Sequence, residues 1–185
     1  MVNAGNELRK EQRDLKFLLV AYGLAVVFTI GDFVDLLWRG QVAHKLAYAI
    51  GDAGNAGMIL LSRVEPAAAG FLVAGVVIKW LAIIGGFTAL ALVIGQALRG
   101  QFFTAKNSTY FTVTISAFVM YLCGIFVQNM GANYVAAQFE IADWWEFRLG
   151  GQEVAIVYGV FVTLFFFRLV TRKGIQMQED QEGLV

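Results

Sequence analysis

The chain has 185 residues, of which 58% are hydrophobic and 15% charged, with a mean hydropathy of +0.65. A soluble domain carries about a quarter charged residues, so an ordinary water-soluble domain is excluded. The 14 basic and 14 acidic residues cancel, which leaves no basic footprint for direct nucleic-acid binding. The single cysteine, Cys123, allows no disulfide within the chain and no cysteine-built metal centre.

A bilayer core of ~30 Å needs about 20 mostly apolar residues per helical crossing. Four stretches meet that length, at about 17–37, 71–98, 111–128 and 154–170. They predict one membrane domain over residues 1–185: an all-α, integral membrane four-helix bundle with short interfacial helices in its outer connections.

Residues 1–16 mix both signs of charge (Glu7, Arg9, Lys10, Glu11, Arg13, Asp14, Lys16). No Ala-x-Ala-type cleavage site follows the first apolar run, so that run is expected to stay in the protein as a span. It ends in Asp32, Asp35 and Trp38. Asp32 falls 15 residues after Phe17, ~22 Å along a helix at the standard rise. Asp35 stands one helical turn before Arg39 and can pair with it.

In the connection that follows, about 38–70, Val42, Leu46, Ala49 and Ile50 recur at helical spacing and predict an interfacial helix. His44, the only histidine, lies in this connection, so a haem ligated by two histidines between the spans finds no ligands. The stretch from Gly51 to Gly57 (GDAGNAG) has the glycines of a phosphate loop but not the Lys-Ser/Thr that follows them. It reads as a flexible turn between two helical pieces. Pro66, the only proline, stands just before the second span, where a missing N–H costs least.

From Pro66 to Leu98 the only charge is Lys79. It lies 8 residues after Phe71, ~12 Å along the helix, which places it near Asp32 in depth. An intramembrane ion pair between Asp32 and Lys79 is therefore geometrically open, since a charge inside a bilayer is costly unless paired or solvated. Alternatively, Lys79 extends its amine toward the headgroups. No charge occurs between Lys106 and Glu140, the run that holds the third span. Asn129 and Asn133, at its far end, can hydrogen-bond across helices or to water. In the second outer connection Trp144, Trp145 and Phe147 crowd beside Asp143, Glu146 and Arg148. Such aromatics favour headgroup depth, so with Trp38 they are expected to anchor the chain at the membrane interface. After the fourth span, Arg172 and Lys173 suit anionic lipid headgroups or a cytoplasmic partner. Gly174 is expected to break or kink the chain there. Glu179, Asp180 and Glu182 then form an acidic strip able to grip a basic partner.

Basic residues set orientation. With the N-terminus inside, Arg9, Lys10, Arg13, Lys16, Arg99, Lys106, Arg168, Arg172 and Lys173 are cytoplasmic, nine in all, while Arg39, Lys45, Arg63 and Arg148, four in all, are outside. Both termini are expected in the cytoplasm. Small residues four apart, Ala21/Ala25, Ala82/Gly86 and Ala91/Gly95, let helices approach closely. No Ser-x-x-Lys arrangement, metal-ligand set or nucleotide loop appears, and no proline breaks a span. The expected inventory is no catalytic residue, no cofactor or metal of its own, and bound lipids.

Residues Gly95–Phe111 read GQALRGQFFTAKNSTYF, and Phe167–Val185 read FRLVTRKGIQMQEDQEGLV. Gly100, Phe103, Thr104 and Asn107, with Gly174, Met177, Glu179, Asp180, Glu182, Gly183, Leu184 and Val185, resemble the inner loop and tail of the YoaS-like bacterial four-span membrane proteins. Met177 stands where that family tends to carry leucine, and the tail is similar to that of actinobacterial members. The resemblance covers the four-span plan and implies a multi-pass protein of the bacterial cytoplasmic membrane. The family has no established activity, so no catalytic residues carry over. Some members are encoded beside small helix-turn-helix regulators, which implies a sensing partnership as one expectation.

Three functions are therefore expected in order. First comes a non-catalytic accessory or structural subunit contacting other integral membrane subunits and phospholipids, an actinobacterial respiratory supercomplex being one such assembly. A membrane sensor or regulator acting through a cytoplasmic partner comes second, and a small transporter third.

Overall fold

The computed structural model describes residues 2–51, 54–55, 57–141 and 151–182, with the side chains at 2–9, 11, 28, 29, 32, 54, 55, 151–154 and 182 outside the description. The described residues are mostly helical. Four long helices carry them: α1 (Val2–Arg39), α2 (Pro66–Leu98), α3 (Ala105–Gln138) and α4 (Gly151–Glu182). Among the described residues, α2, α3 and Ala155–Gln181 of α4 are long and apolar enough to cross a membrane, and the chain is a membrane protein. Trp144, Trp145 and Phe147 lie outside the described residues, as does the side chain of Glu182.

The helix ends follow from local chemistry. Pro66 opens α2, and Ala69 N–H donates to the Glu65 carbonyl at 2.9 Å. The other end of α2 closes in a Schellman turn. Gly100 takes φ +74°, its N–H reaches the Ala97 carbonyl at 2.9 Å, and Gln101 N–H reaches the Gln96 carbonyl at 3.0 Å. A glycine suits this position because a Cβ disfavours the left-handed backbone. Thr104 then caps α3, its Oγ1 accepting the Asn107 N–H at 3.3 Å. α3 runs ten residues beyond the expected limit of its span and ends in a second Schellman turn. There Glu140 adopts φ +52° and Ile141 N–H donates to the Ala136 carbonyl at 2.9 Å. The extension is held because Ala132, Val135 and Ala136 bury their side chains against the α1–α2 connection.

The chain divides into two compact units: residues 28–83 with 119–155, and residues 1–27 with 84–118 and 156–185. The first holds the main apolar core: Leu36, Val42, Leu46, Ala47, Ile50, Ile59, Val64, Ala68, Leu72, Val76, Ala132, Val135 and Ala136.

The interfacial helix expected from Val42, Leu46, Ala49 and Ile50 does not form. The connection instead folds as a three-stranded antiparallel sheet of β1 (Gln41–Ala43), β2 (Gly54–Asn55) and β3 (Met58–Leu60), in the order β1-β3-β2. Short 3-10 turns at Lys45–Tyr48 and Leu61–Arg63 complete it. Val42 pairs with Ile59 across β1 and β3, and both are buried. Leu46, at 0% exposure, and Ile50 are buried too, whereas Ala49 is exposed. A strand followed by a tight turn brings residues 42, 46 and 50 to one side just as a helix would, so their spacing does not discriminate. A helix of that length is marginal by itself, and Gly40, at φ +59°, turns the chain out of α1 directly into β1. Within the stretch 51–57, Gly54 and Asn55 form β2 in place of the expected turn between two helical pieces, and residues 52, 53 and 56 lie outside the described residues.

Two glutamines of α3 hold this connection. Gln128, 4% exposed, donates from Nε2 to the Ala43 carbonyl at 3.1 Å. Gln138 accepts the Glu65 N–H at 2.9 Å and donates to the Arg63 carbonyl at 3.3 Å. Gln128 thereby gains the partner that a buried polar group needs, while the Gln138 bonds lie at the exposed edge of the connection.

Close approach of α2 and α3 in the first unit rests on glycines other than the expected small pairs. A Cβ on Gly75 would lie 2.6 Å from the Gln128 backbone nitrogen, and one on Gly131 would lie 2.8 Å from that of Leu72. At Gly124 a Cβ would meet the Lys79 backbone nitrogen at 2.9 Å and its Cγ at 2.7 Å. Of the expected glycines, a Cβ added to Gly86 would lie 3.3 Å from the Ala117 Cβ within the second unit, while one added to Gly95 would meet nothing within 4 Å.

In the second unit, ring pairs join the helices: Tyr22 with Phe87 at 5.4 Å and Phe111 with Phe167 at 6.2 Å between centroids. Gly174 does not break α4, which continues to Glu182. The Phe103 ring packs directly on the Gly174 backbone, where any Cβ would collide with it. The glycine is a slot for the α2–α3 loop rather than a helix stop.

Candidate functional site

Two places gather side chains whose chemistry is not spent on folding alone. The first is a cavity of about 130 Å³ in the first unit, lined by Val76, Lys79, Trp80 and Ile83 of α2, Tyr121 and Gln128 of α3, and Ala43 of β1. Each helix presents its residues at helical spacing (76, 79, 80 and 83; 121 and 128), so one face of each lines the space. Val76 and Ile83 are apolar walls. Trp80 stacks on Phe33 with centroids 4.3 Å apart and planes 18° apart, which steadies one side. Gln128 is oriented by its bond to the Ala43 carbonyl. The Lys79 stem runs over Gly124, where only a hydrogen leaves it room. A cation, a phenol and an amide therefore converge in a pocket with apolar walls, the usual composition of a small-ligand site.

Lys79 is thus placed at a cavity, as the cost of an intramembrane charge demands. Its expected partner Asp32 has a side chain outside the described residues. Asp35 pairs with Arg39 at 3.4 Å, one turn apart. Trp38, at 85% exposure, stands clear of the chain near the end of α1, a position suited to headgroup contact.

The second place is the α2–α3 loop with the end of α4. Asn107, 0% exposed, donates from Nδ2 to the carbonyls of Gln101 at 3.0 Å and Phe102 at 2.7 Å, tying the loop to the first turn of α3. Phe102 and Phe103 meet edge to face at 5.2 Å. Phe103 then roofs an apolar groove of about 350 Å³ bordered by Phe166, Leu169, Val170, Lys173, Gly174 and Met177. The residues carrying the sequence resemblance in the loop (Gly100, Phe103, Thr104, Asn107) hold turn, ring contact, cap and tie respectively, and Gly174 receives the ring. Arg172, Lys173, Glu179 and Asp180 are exposed along α4.

His44 is a structural cap: its Nδ1 accepts the Leu46 N–H at 3.1 Å at the start of a 3-10 turn. Cys123 is exposed on α3. Asn133 keeps its Oδ1 buried without a hydrogen-bond partner among the described residues. Among the described residues, no three His, Cys, Asp or Glu side chains gather as a metal site. Sequence reasoning singled out Lys79 but not Tyr121 or Gln128, because an isolated polar residue in an apolar run has no periodic signal. Comparison with family models, with curated proteins and with solved structures returns no match for this chain.

Proposed function

We propose that this chain is a non-catalytic accessory subunit of a larger membrane assembly, with four spans, both termini in the cytoplasm and phospholipid around its free faces. One observation carries the reading. Only 6% of the most apolar stretch of α4 is buried within the chain, against 28% for α2 and 22% for α3. Ile156, Tyr158, Phe161, Phe165 and Phe166 are all exposed on it. Lipid covers such a face readily, but helix–helix association in a bilayer also rests on surface packing of this kind. A neighbouring subunit seated on α4 would account for so many large aromatics on one helix.

Purification from the native membrane in mild detergent is expected to bring other integral membrane proteins along in fixed ratio. Substituting Phe161 and Phe165 by alanine is expected to release them while the chain itself stays folded. Migration of the wild-type chain as a stable species with no companion would end the accessory-subunit reading.

Topology is checked separately by thiol labelling in a Cys123→Ser background. Ser62→Cys, exposed in the α1–α2 connection, is expected to react with an impermeant maleimide from outside the cell. Gln101→Cys, exposed in the α2–α3 loop, is expected to react only after the membrane is opened. The reverse pattern would invert the orientation.

The sensor reading draws support from the Phe103–Gly174 contact, which joins the α2–α3 loop to the helix that carries the acidic tail. It predicts that truncation after Lys173 changes expression of target genes while leaving membrane complexes intact.

A further inference from the structure

We propose that the groove between the α2–α3 loop and the end of α4 binds one anionic phospholipid. Its acyl chain lies against Phe166, Leu169 and Val170 beneath the Phe103 ring, and its phosphate meets the Lys173 ammonium. All the lining residues belong to the second unit, so one body forms the whole groove. The volume of about 350 Å³ falls within the range of ligand pockets, and the lining is almost wholly apolar. Lys173 borders this lining and is exposed. A lysine so placed lays its apolar stem along the wall and carries its ammonium to the rim. The order of groups along the helix selects the occupant. The apolar run of α4 ends at Val170, and Lys173 stands 7 residues after Phe166, ~10 Å along the axis. Walls for a hydrocarbon chain are thus followed by a cation, the order in which a phospholipid carries acyl chain and phosphate. One turn to either side of Lys173 on α4 stand Leu169, Val170, Gln176 and Met177, none of them acidic, and no carboxylate is among the lining residues. The roof is preformed, because Phe103 seats on Gly174 and Asn107 ties the loop that carries it. Phe161 and Phe165 are not among the lining residues, so the inference stands whether or not a subunit sits on them.

The test offers the full-length chain in detergent equal amounts of phosphatidylglycerol and phosphatidylcholine with the same acyl chains. Native mass spectrometry then counts the lipids retained per chain. One phosphatidylglycerol is expected to be held in preference to phosphatidylcholine. Lys173→Gln should weaken that binding about fivefold or more, the worth of one basic group near a membrane surface, while Lys173→Arg keeps it. Met177→Glu, at a side chain 60% exposed, sets a carboxylate in the groove and should abolish the retention at unchanged thermal stability. Met177→Leu should keep it. Lys106 is exposed and outside the lining, so Lys106→Gln should change nothing. Equal retention of the two lipids overturns the proposal, as does retention that survives both Lys173→Gln and Met177→Glu. An equal loss in Lys106→Gln overturns it too, because the attraction is then diffuse rather than seated in the groove. So does a companion protein that Met177→Glu releases in the native membrane, since the occupant is then a protein.

Discussion

Gly131→Leu is expected to lower stability by about 3 kcal/mol, and Gly131→Ala by about 1–3 kcal/mol, the range for overpacking a filled site. The reason is the neighbour that an added Cβ would strike. At Gly131 it meets the Leu72 nitrogen at 2.8 Å and the Ala68 carbonyl oxygen at 3.0 Å. These are backbone atoms of a facing helix and cannot rotate aside as a side-chain tip would. Gly75→Ala should behave alike, because its Cβ would lie 2.7 Å from the Gln128 Cα. Gly85→Ala is the control: nothing lies within 4 Å of its Cβ position, and alanine is the better helix former by up to about 1 kcal/mol. Reversible unfolding in mixed micelles measures all four variants. If Gly131→Ala and Gly85→Ala prove equally stable, α2 and α3 do not approach at residue 131 as described.

Asn107→Asp should cost about 2–4 kcal/mol, the sum of two buried hydrogen bonds whose acceptors lose their donor. The variant keeps the shape of the side chain but sets a carboxylate against the carbonyls of Gln101 and Phe102, now 3.0 and 2.7 Å from an amide nitrogen. The damage should be local. Hydrogen exchange over residues 99–104 and proteolysis in the α2–α3 loop are expected to rise, with β1–β3 unaffected. Thr104→Ser keeps the cap oxygen on the Asn107 N–H and should change little, whereas Thr104→Ala should lose about 1 kcal/mol. Unchanged exchange in Asn107→Asp would mean that the loop is held by something other than this side chain.

Much of the body was legible in the residues because its governing signals are local and repeated. A long run of apolar residues interrupted only by Lys79 has to be a helix if it lies in lipid, where every backbone polar group must bond within its own segment. Pro66, the opening of α2, and the i,i+4 pair of Asp35 with Arg39 depend on near neighbours, and both follow from the sequence. The mixed and misleading cases share one cause. Val42, Leu46 and Ile50 show helical spacing, yet the outcome was set by Ile59 across the sheet and by Gln128 on α3, partners that no local pattern names. Gly174 is a plausible helix stop by its own residue type, and only the Phe103 ring, about seventy positions away in the sequence, makes it a packing slot instead. The glycines that matter for α2–α3 contact likewise differ from those that small-residue spacing selects, since spacing does not say which face meets a neighbour. Composition and periodicity by themselves determined the solvent and the helical class. Tertiary packing alone decided that the α1–α2 connection is a sheet, that Phe103 seats on Gly174, and that Lys79, Tyr121 and Gln128 share one cavity, because each of these depends on residues far apart in the chain meeting at atomic distance.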